Sequence, residues 1–151
     1  MLDGIVIEDL RSIPDERGYI KHIMKKSQFP LNQDFGEVYL SCIYPGIVKG
    51  WHLHKRQTQN YVCIKGNIKL VLFDMRESSS TFNSLQEIVM GELNYVRVTI
   101  PVGVCNGYIS TGGEEAWVIN VSDLEHDPSE MDRFNPRDRS IVEYNWEPVD
   151  K

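Results

Sequence analysis

Turn-forming residues interrupt this chain at intervals of roughly ten positions, which leaves room for short strands and none for long helices. The breaks fall at Pro14-Asp15-Glu16-Arg17-Gly18, Tyr44-Pro45-Gly46, Lys65-Gly66-Asn67, Ser78-Ser79-Ser80 and Thr111-Gly112-Gly113 of a 151-residue sequence. Between them lie runs rich in β-branched and aromatic residues, predicting strands at 19–24, 38–43, 49–54, 61–64, 68–73, 95–100, 104–109 and 116–121. Most alternate with a period of two: Ile68, Leu70 and Leu72 share one face, Lys69, Val71 and Phe73 the other. Many short strands predict an all-β sandwich or small barrel, and a jelly-roll barrel has an interior that can hold a ligand.

The length fits one domain, and 41% hydrophobic with 25% charged residues is too apolar for a disordered chain. Residues 1–151 are therefore expected to form a single domain, with the more polar, Pro-bearing segment 123–151 wrapping the outside or covering a mouth. No apolar run approaches the ~20 residues that cross a bilayer, and the first ten residues lack the basic and apolar regions of a signal peptide. The expectation is no membrane and a cytoplasmic location. Cys42, Cys63 and Cys105 are odd in number and lie in apolar, strand-like stretches, which predicts buried thiols. The net charge of −6, with dispersed basic residues, argues against nucleic acid as a partner. An anionic small molecule stays open, because one or two well-placed Lys or Arg suffice to bind it.

The densest chemical signal is Gly46-Ile47-Val48-Lys49-Gly50-Trp51-His52-Leu53-His54, followed by Gln59 and Gly66. Two histidines one residue apart on a strand project to the same side, roughly 7 Å apart, so His52 and His54 can share a cavity. That geometry serves metal binding, acid-base work or plain hydrogen bonding inside a barrel. The spacing is similar to the first motif of the cupins, with Gln59 in place of an acidic ligand. Pro101-Val102-Gly103-Val104-Cys105-Asn106 is similar to the second, with Asn106 in place of a histidine. The set His52, His54, Gln59 and Asn106 has no anionic member, which argues against a transition metal there and leaves a metal-dependent cupin as an alternative.

Asp15-Glu16-Arg17-Gly18-Tyr19, Lys49-Gly50-Trp51-His52, Asp74-Met75-Arg76, Ser80-Thr81-Phe82 and Ile100-Pro101-Val102-Gly103 occur in one order along the chain. Together they resemble the dTDP-4-dehydrorhamnose 3,5-epimerase family over about residues 15–146. The resemblance implies a cupin jelly-roll barrel that works without metal or other cofactor, a homodimer, and a dTDP-linked keto-deoxysugar as the bound partner. It implies His52 as the base that removes a hydrogen beside a C4 ketone, with Arg17 and Lys49 on the diphosphate. Lys49 stands where the family has Arg, keeping the charge and losing the bidentate fork. Tyr61 stands where the family has a Lys facing the ketone oxygen. Asn120 stands at the family's tyrosine acid, so Tyr108 or another tyrosine would have to return the proton. His54 joins His52, Tyr61 and Tyr108 as a catalytic candidate. Tyr19, Gln59, Asn106 and Asn120 join Arg17 and Lys49 as substrate contacts, and Tyr39 and Trp51 are expected to line the pocket. Two alternatives accompany the epimerase reading. Gly50-Trp51-His52-Leu53-His54-Lys55 resembles the sugar 3,4-ketoisomerases, which move a carbonyl through an enediol, and a binding protein without catalysis would keep only the diphosphate contacts.

Overall fold

The computed structural model describes residues 1–29 and 33–148. Its strands are β1 (Val6–Asp9), β2 (Ser12–Asp15), β3 (Gly18–Lys21), β4 (Glu37–Ile43), β5 (Val48–His54), β6 (Gln59–Lys65), β7 (Asn67–Asp74), β8 (Leu85–Gly91), β9 (Val96–Ile100), β10 (Val104–Ser110), β11 (Ala116–Ser122) and β12 (Met131–Arg133). Two short 3-10 turns, Lys26–Gln28 and Pro128–Glu130, are the helical elements among the described residues. The strands form two antiparallel five-stranded sheets, in the orders β1-β9-β6-β11-β4 and β12-β5-β10-β7-β8, with β2 and β3 as a separate hairpin. This is the all-β architecture that the alternation predicted, and its two sheets form the jelly-roll that the family resemblance implied.

Side-chain parity on β7 sets the interior. Ile68, Leu70 and Leu72 are fully buried and join Ile43, Cys63, Met90, Val98, Ile100 and Val118 in a core between the sheets. Burying each such side chain contributes about 1.5–3 kcal/mol. Val71, on the opposite face of β7, is also buried, because Trp51, Cys105, Val142 and Trp146 form a second apolar cluster outside the β5-β10-β7 sheet. The C-terminal segment supplies Val142, Tyr144 and Trp146 to that cluster and adds β12 to the β5 edge. Residues 149–151, the end of the segment expected to wrap, lie outside the described residues. Trp51 was expected to line the pocket. It instead points outward, its ring centroid 4.8 Å from that of Trp146, because its neighbours in β5 take the inward positions.

All eight expected strands are present, although the first ends at Lys21 rather than residue 24. β1, β2, β8 and β12 were not anticipated. β2 contains Pro14 and is exposed throughout, and β12 is three residues long, so neither carries an alternating apolar signal. Of the cysteines expected to be buried, Cys63 and Cys105 are, while Cys42 is half-buried; all three are free thiols. The Asp74-Met75-Arg76 and Ser80-Thr81 stretches do structural work. The buried Asp74 carboxylate accepts from Arg76 Nε and Nη2 (both 2.8 Å), Ser79 Oγ (2.6 Å) and Thr81 Oγ1 (2.7 Å), closing the β7–β8 connection. Burial works to raise its pKa, but these donors drive it well below the usual carboxylate range.

Candidate active site

Inward side chains at one end of the barrel are polar rather than apolar, and they enclose a cavity of about 380 Å³. One wall comes from β5, with Lys49, His52 and His54, together with Tyr108 of β10 and Met131 and Arg133 of β12. The facing wall comes from Glu37, Tyr39 and Ser41 of β4 and Gln59 and Tyr61 of β6. A β-bulge makes the first wall possible. Asn106 pairs with His52 but Tyr108 pairs with Lys49, so β5 spends one residue more than β10, which brings Lys49 to the same side as the histidines. At the bulge a Cβ on Gly50 would stand 2.8 Å from Gly107 Cα, so the two strands approach only as glycines.

The two histidines have different surroundings. His54 is buried, with Nδ1 on Glu130 Oε1 and Nε2 2.7 Å from Gln59 Nε2. With an amide donating to Nε2, the proton sits on Nδ1 and is given to the carboxylate. Gln59 Oε1 in turn accepts from Asn106 Nδ2 (3.1 Å), and Asn106 Oδ1 accepts from Tyr61 Oη (3.3 Å). Glu130 uses its other oxygen to accept from the backbone N–H groups of Lys55, Arg56 and Gln57, at 3.1, 3.1 and 3.3 Å. Burial tends to raise its pKa, but the His54 ring and these amides bring the net shift down. His54 is thus closed into a hydrogen-bond chain that holds Glu130 and the β12 segment to the end of β5.

His52 is half-buried, and among the described residues no side chain hydrogen-bonds its ring. Burial lowers its pKa first, the positive charges of Arg133 and Lys49 and the neighbouring His54 ring add to that, and the result is about 4. At neutral pH the ring is an uncharged imidazole with a free lone pair. Lys49 Nζ donates to Ser41 Oγ (2.8 Å) and Cys42 O (2.5 Å), leaving one N–H for a ligand. Tyr108 Oη donates to Ser41 Oγ (2.9 Å), and burial pushes its phenol up to about 12. Tyr61 is fully buried and its phenol is raised well above the ordinary value by burial. Tyr39 Oη accepts from Asn120 Nδ2 (3.1 Å).

The cavity gathers His52, His54, Tyr61, Tyr108, Lys49, Gln59 and the expected Tyr39. Asn106 and Asn120 are buried and act on the cavity through Gln59 and Tyr39. Arg17 and Tyr19 are not brought there within their own chain: both sit on the exposed β2–β3 hairpin, where Arg17 pairs with Asp15 (2.6 Å). Glu130 and Arg133 escaped sequence reasoning, since they belong to a 3-10 turn and a three-residue strand whose position beside β5 no local pattern encodes. The weak hint was Asp127-Pro128-Ser129, which starts a capped turn, with Asp127 accepting from Ser129 N (2.9 Å). Among the described residues no group of three or more His, Cys, Asp or Glu is placed to hold a metal ion.

Comparison with known proteins identifies the architecture as a known type. The sequence profile of the dTDP-4-dehydrorhamnose 3,5-epimerase family matches residues 1–150. The chain belongs to this family. Its relatives within this family of dTDP-sugar epimerases and isomerases include the spore coat polysaccharide biosynthesis protein SpsL of Bacillus subtilis, 30% identical over 97% of each chain. The probable low-salt glycan biosynthesis epimerase Agl13 of Haloferax volcanii is 31% identical, over 96% of this chain and 94% of the relative. Among solved structures, a dTDP sugar isomerase from Desulfovibrio desulfuricans superposes with a TM-score of 0.91 at 34% identity, covering 99% of this chain and 96% of that one. Among the described residues no helix is long and apolar enough to cross a membrane.

Proposed function

We propose that this protein epimerises a nucleotide-linked 4-keto-6-deoxyhexose, using His52 to remove a hydrogen from a carbon next to the ketone. The observation that carries this reading is a neutral, unbridged imidazole in a barrel cavity that also holds two cations, Lys49 and Arg133. A neutral imidazole can accept the proton, and positive charge nearby favours the enolate that forms. The same cations suit a diphosphate, and once that anion is bound it offsets them, raising the basicity of His52 when a substrate is in place. No cofactor has a role in this chemistry.

The 3,4-ketoisomerase reading relies on both histidines of β5. Against it stands the engagement of both ring nitrogens of His54, with Glu130 and Gln59, which leaves no free position for a proton relay. A homodimer accompanies the epimerase reading. An isolated two-stranded hairpin is marginal in water, and the β2–β3 hairpin leaves Ile13, Tyr19 and Ile20 exposed. β4 is a sheet edge whose Val38 and Leu40 are exposed on one face, while the partly exposed Tyr39 on the other face stands at the cavity mouth. Pairing the hairpin of one copy with the β4 edge of another would bring Arg17 and Tyr19 toward that mouth and give them the substrate contacts they lack in a single chain.

The test is incubation with dTDP-4-keto-6-deoxyglucose in D₂O, followed by proton NMR. Wild-type protein is expected to lose the H3 or H5 signal and to deliver an epimerised product, and His52→Ala to slow that exchange by at least about a hundredfold. A product with the carbonyl moved to C3 would favour the isomerase. Binding of dTDP with no exchange would leave a binding role and sink both enzyme readings.

A further inference from the structure

Inversion requires a proton donor on the side of the sugar away from the base, and the cavity offers three tyrosines for that task. Tyr108 stands on β10, hydrogen-bonded to β5 in the same sheet as His52, so it approaches from the wall of the base. Its hydroxyl proton is also committed to Ser41 Oγ, which already accepts from Lys49. Tyr61 belongs to the opposite sheet, but it is fully buried and its proton goes to Asn106 Oδ1. Tyr39 is on β4, also in the opposite sheet, and 42% of its surface is exposed. Its oxygen accepts from Asn120 Nδ2, which leaves its own proton free to point into the cavity.

We infer that Tyr39 is the catalytic acid: its hydroxyl protonates the enolate carbon from the wall facing His52, and Asn120, its cross-strand partner, holds the oxygen in place. Facing sheets lie about 10 Å apart, which leaves a hexose ring between them within reach of both side chains. The proton balance closes. His52 takes a hydrogen from the carbon beside the ketone, giving imidazolium and enolate. The enolate carbon then takes the Tyr39 proton from the other side as the ketone re-forms, leaving a tyrosinate. Solvent afterwards removes the proton from His52 and returns one to Tyr39. Burial keeps the Tyr39 phenol protonated at rest, while Asn120, by donating to its oxygen, eases formation of the phenolate. The pair on adjacent strands, Tyr39 opposite Asn120, accounts for an asparagine at a position where the family resemblance led to an acid.

This inference rests on the epimerase reading, and one experiment separates the two. Wild type, Tyr39→Phe, Tyr61→Phe and Tyr108→Phe are each incubated with dTDP-4-keto-6-deoxyglucose in D₂O, with dTDP affinity measured alongside. Tyr39→Phe is expected to keep hydrogen exchange within about threefold of wild type while product inversion falls by at least about a hundredfold, because His52 returns deuterium to the face it came from. Tyr61→Phe and Tyr108→Phe are expected to change exchange and inversion together, if at all. The inference is overturned if Tyr39→Phe inverts as readily as it exchanges, or if it loses both while still binding dTDP. It is equally overturned if Tyr61→Phe or Tyr108→Phe is the variant that uncouples the two. Absence of His52-dependent exchange in the wild type removes the epimerase reading itself, an outcome distinct from uncoupling in the wrong variant.

Discussion

His52 and His54 stand two residues apart on one strand, yet only one of them is free to act as a base. The difference comes from what meets each ring: Glu130 and Gln59 occupy both nitrogens of His54, while His52 faces the cavity and the charges of Lys49 and Arg133. A folded-state pKa near 4 against about 6.5 in the unfolded chain means that between those values the unfolded state binds a proton the native state does not. That contribution to stability is complete above pH 6.5 and disappears as pH falls toward 4. Chemical denaturation from pH 7 to pH 4 should therefore show a steeper loss of stability for wild type than for His52→Asn; equal slopes would mean the ring titrates normally. In kinetics, the acid limb of kcat/KM should lie well below pH 6.5, since that ratio reports the free enzyme.

At the level of elements, β5 is where the site is assembled. Its bulge turns Lys49 inward, Gly50 admits the close passage of Gly107, and its C-terminal turn is gathered by a single carboxylate from the 3-10 turn before β12. Removing Glu130 leaves three backbone N–H groups and a histidine without their acceptor in a buried place. Glu130→Ala should destabilise the protein by at least about 1–3 kcal/mol, the usual cost of leaving a buried donor without its acceptor. Guanidinium denaturation measures it, and ¹⁵N NMR of His54 should show loss of the Nδ1–H tautomer. A cost below about 1 kcal/mol would place the carboxylate in solvent. Gly50→Ala should be disruptive too, because the added methyl meets backbone atoms on a neighbouring strand, which cannot step aside as a flexible side chain could.

For the whole molecule, the two apolar clusters account for the barrel and its outer cover but leave an edge. β4 presents Val38 and Leu40, and a groove of about 340 Å³ beside it is lined by Ile23, Phe29, Phe35 and Val121. Covering such an edge with a second copy removes unpaired strand groups and apolar surface together. Sedimentation velocity should give twice the monomer mass, and Leu40→Lys with Val38→Lys should shift it to the monomer with weaker dTDP binding. A wild-type monomer that still binds dTDP tightly would dismiss the dimer and with it the roles of Arg17 and Tyr19.

Sequence alone was enough for whatever depends on local alternation. Eight of the twelve strands, the inward set Ile68, Leu70 and Leu72, and the shared side of His52 and His54 follow from a period of two and a motif at fixed spacing. It could not say which histidine is free, because Glu130 lies 76 positions from His54 and meets it only when the C-terminal segment returns to β5. It mistook the side taken by Trp51, because the bulge in β5 and the outer cluster around Trp146 are tertiary facts. Nor could it choose among the tyrosines: Tyr39, Tyr61 and Tyr108 look alike in sequence and differ only in which sheet carries them and which acceptor their protons find. Alternation is set by the geometry of each strand on its own, whereas the protonation state and direction of attack at a site are set by neighbours that arrive from elsewhere in the chain.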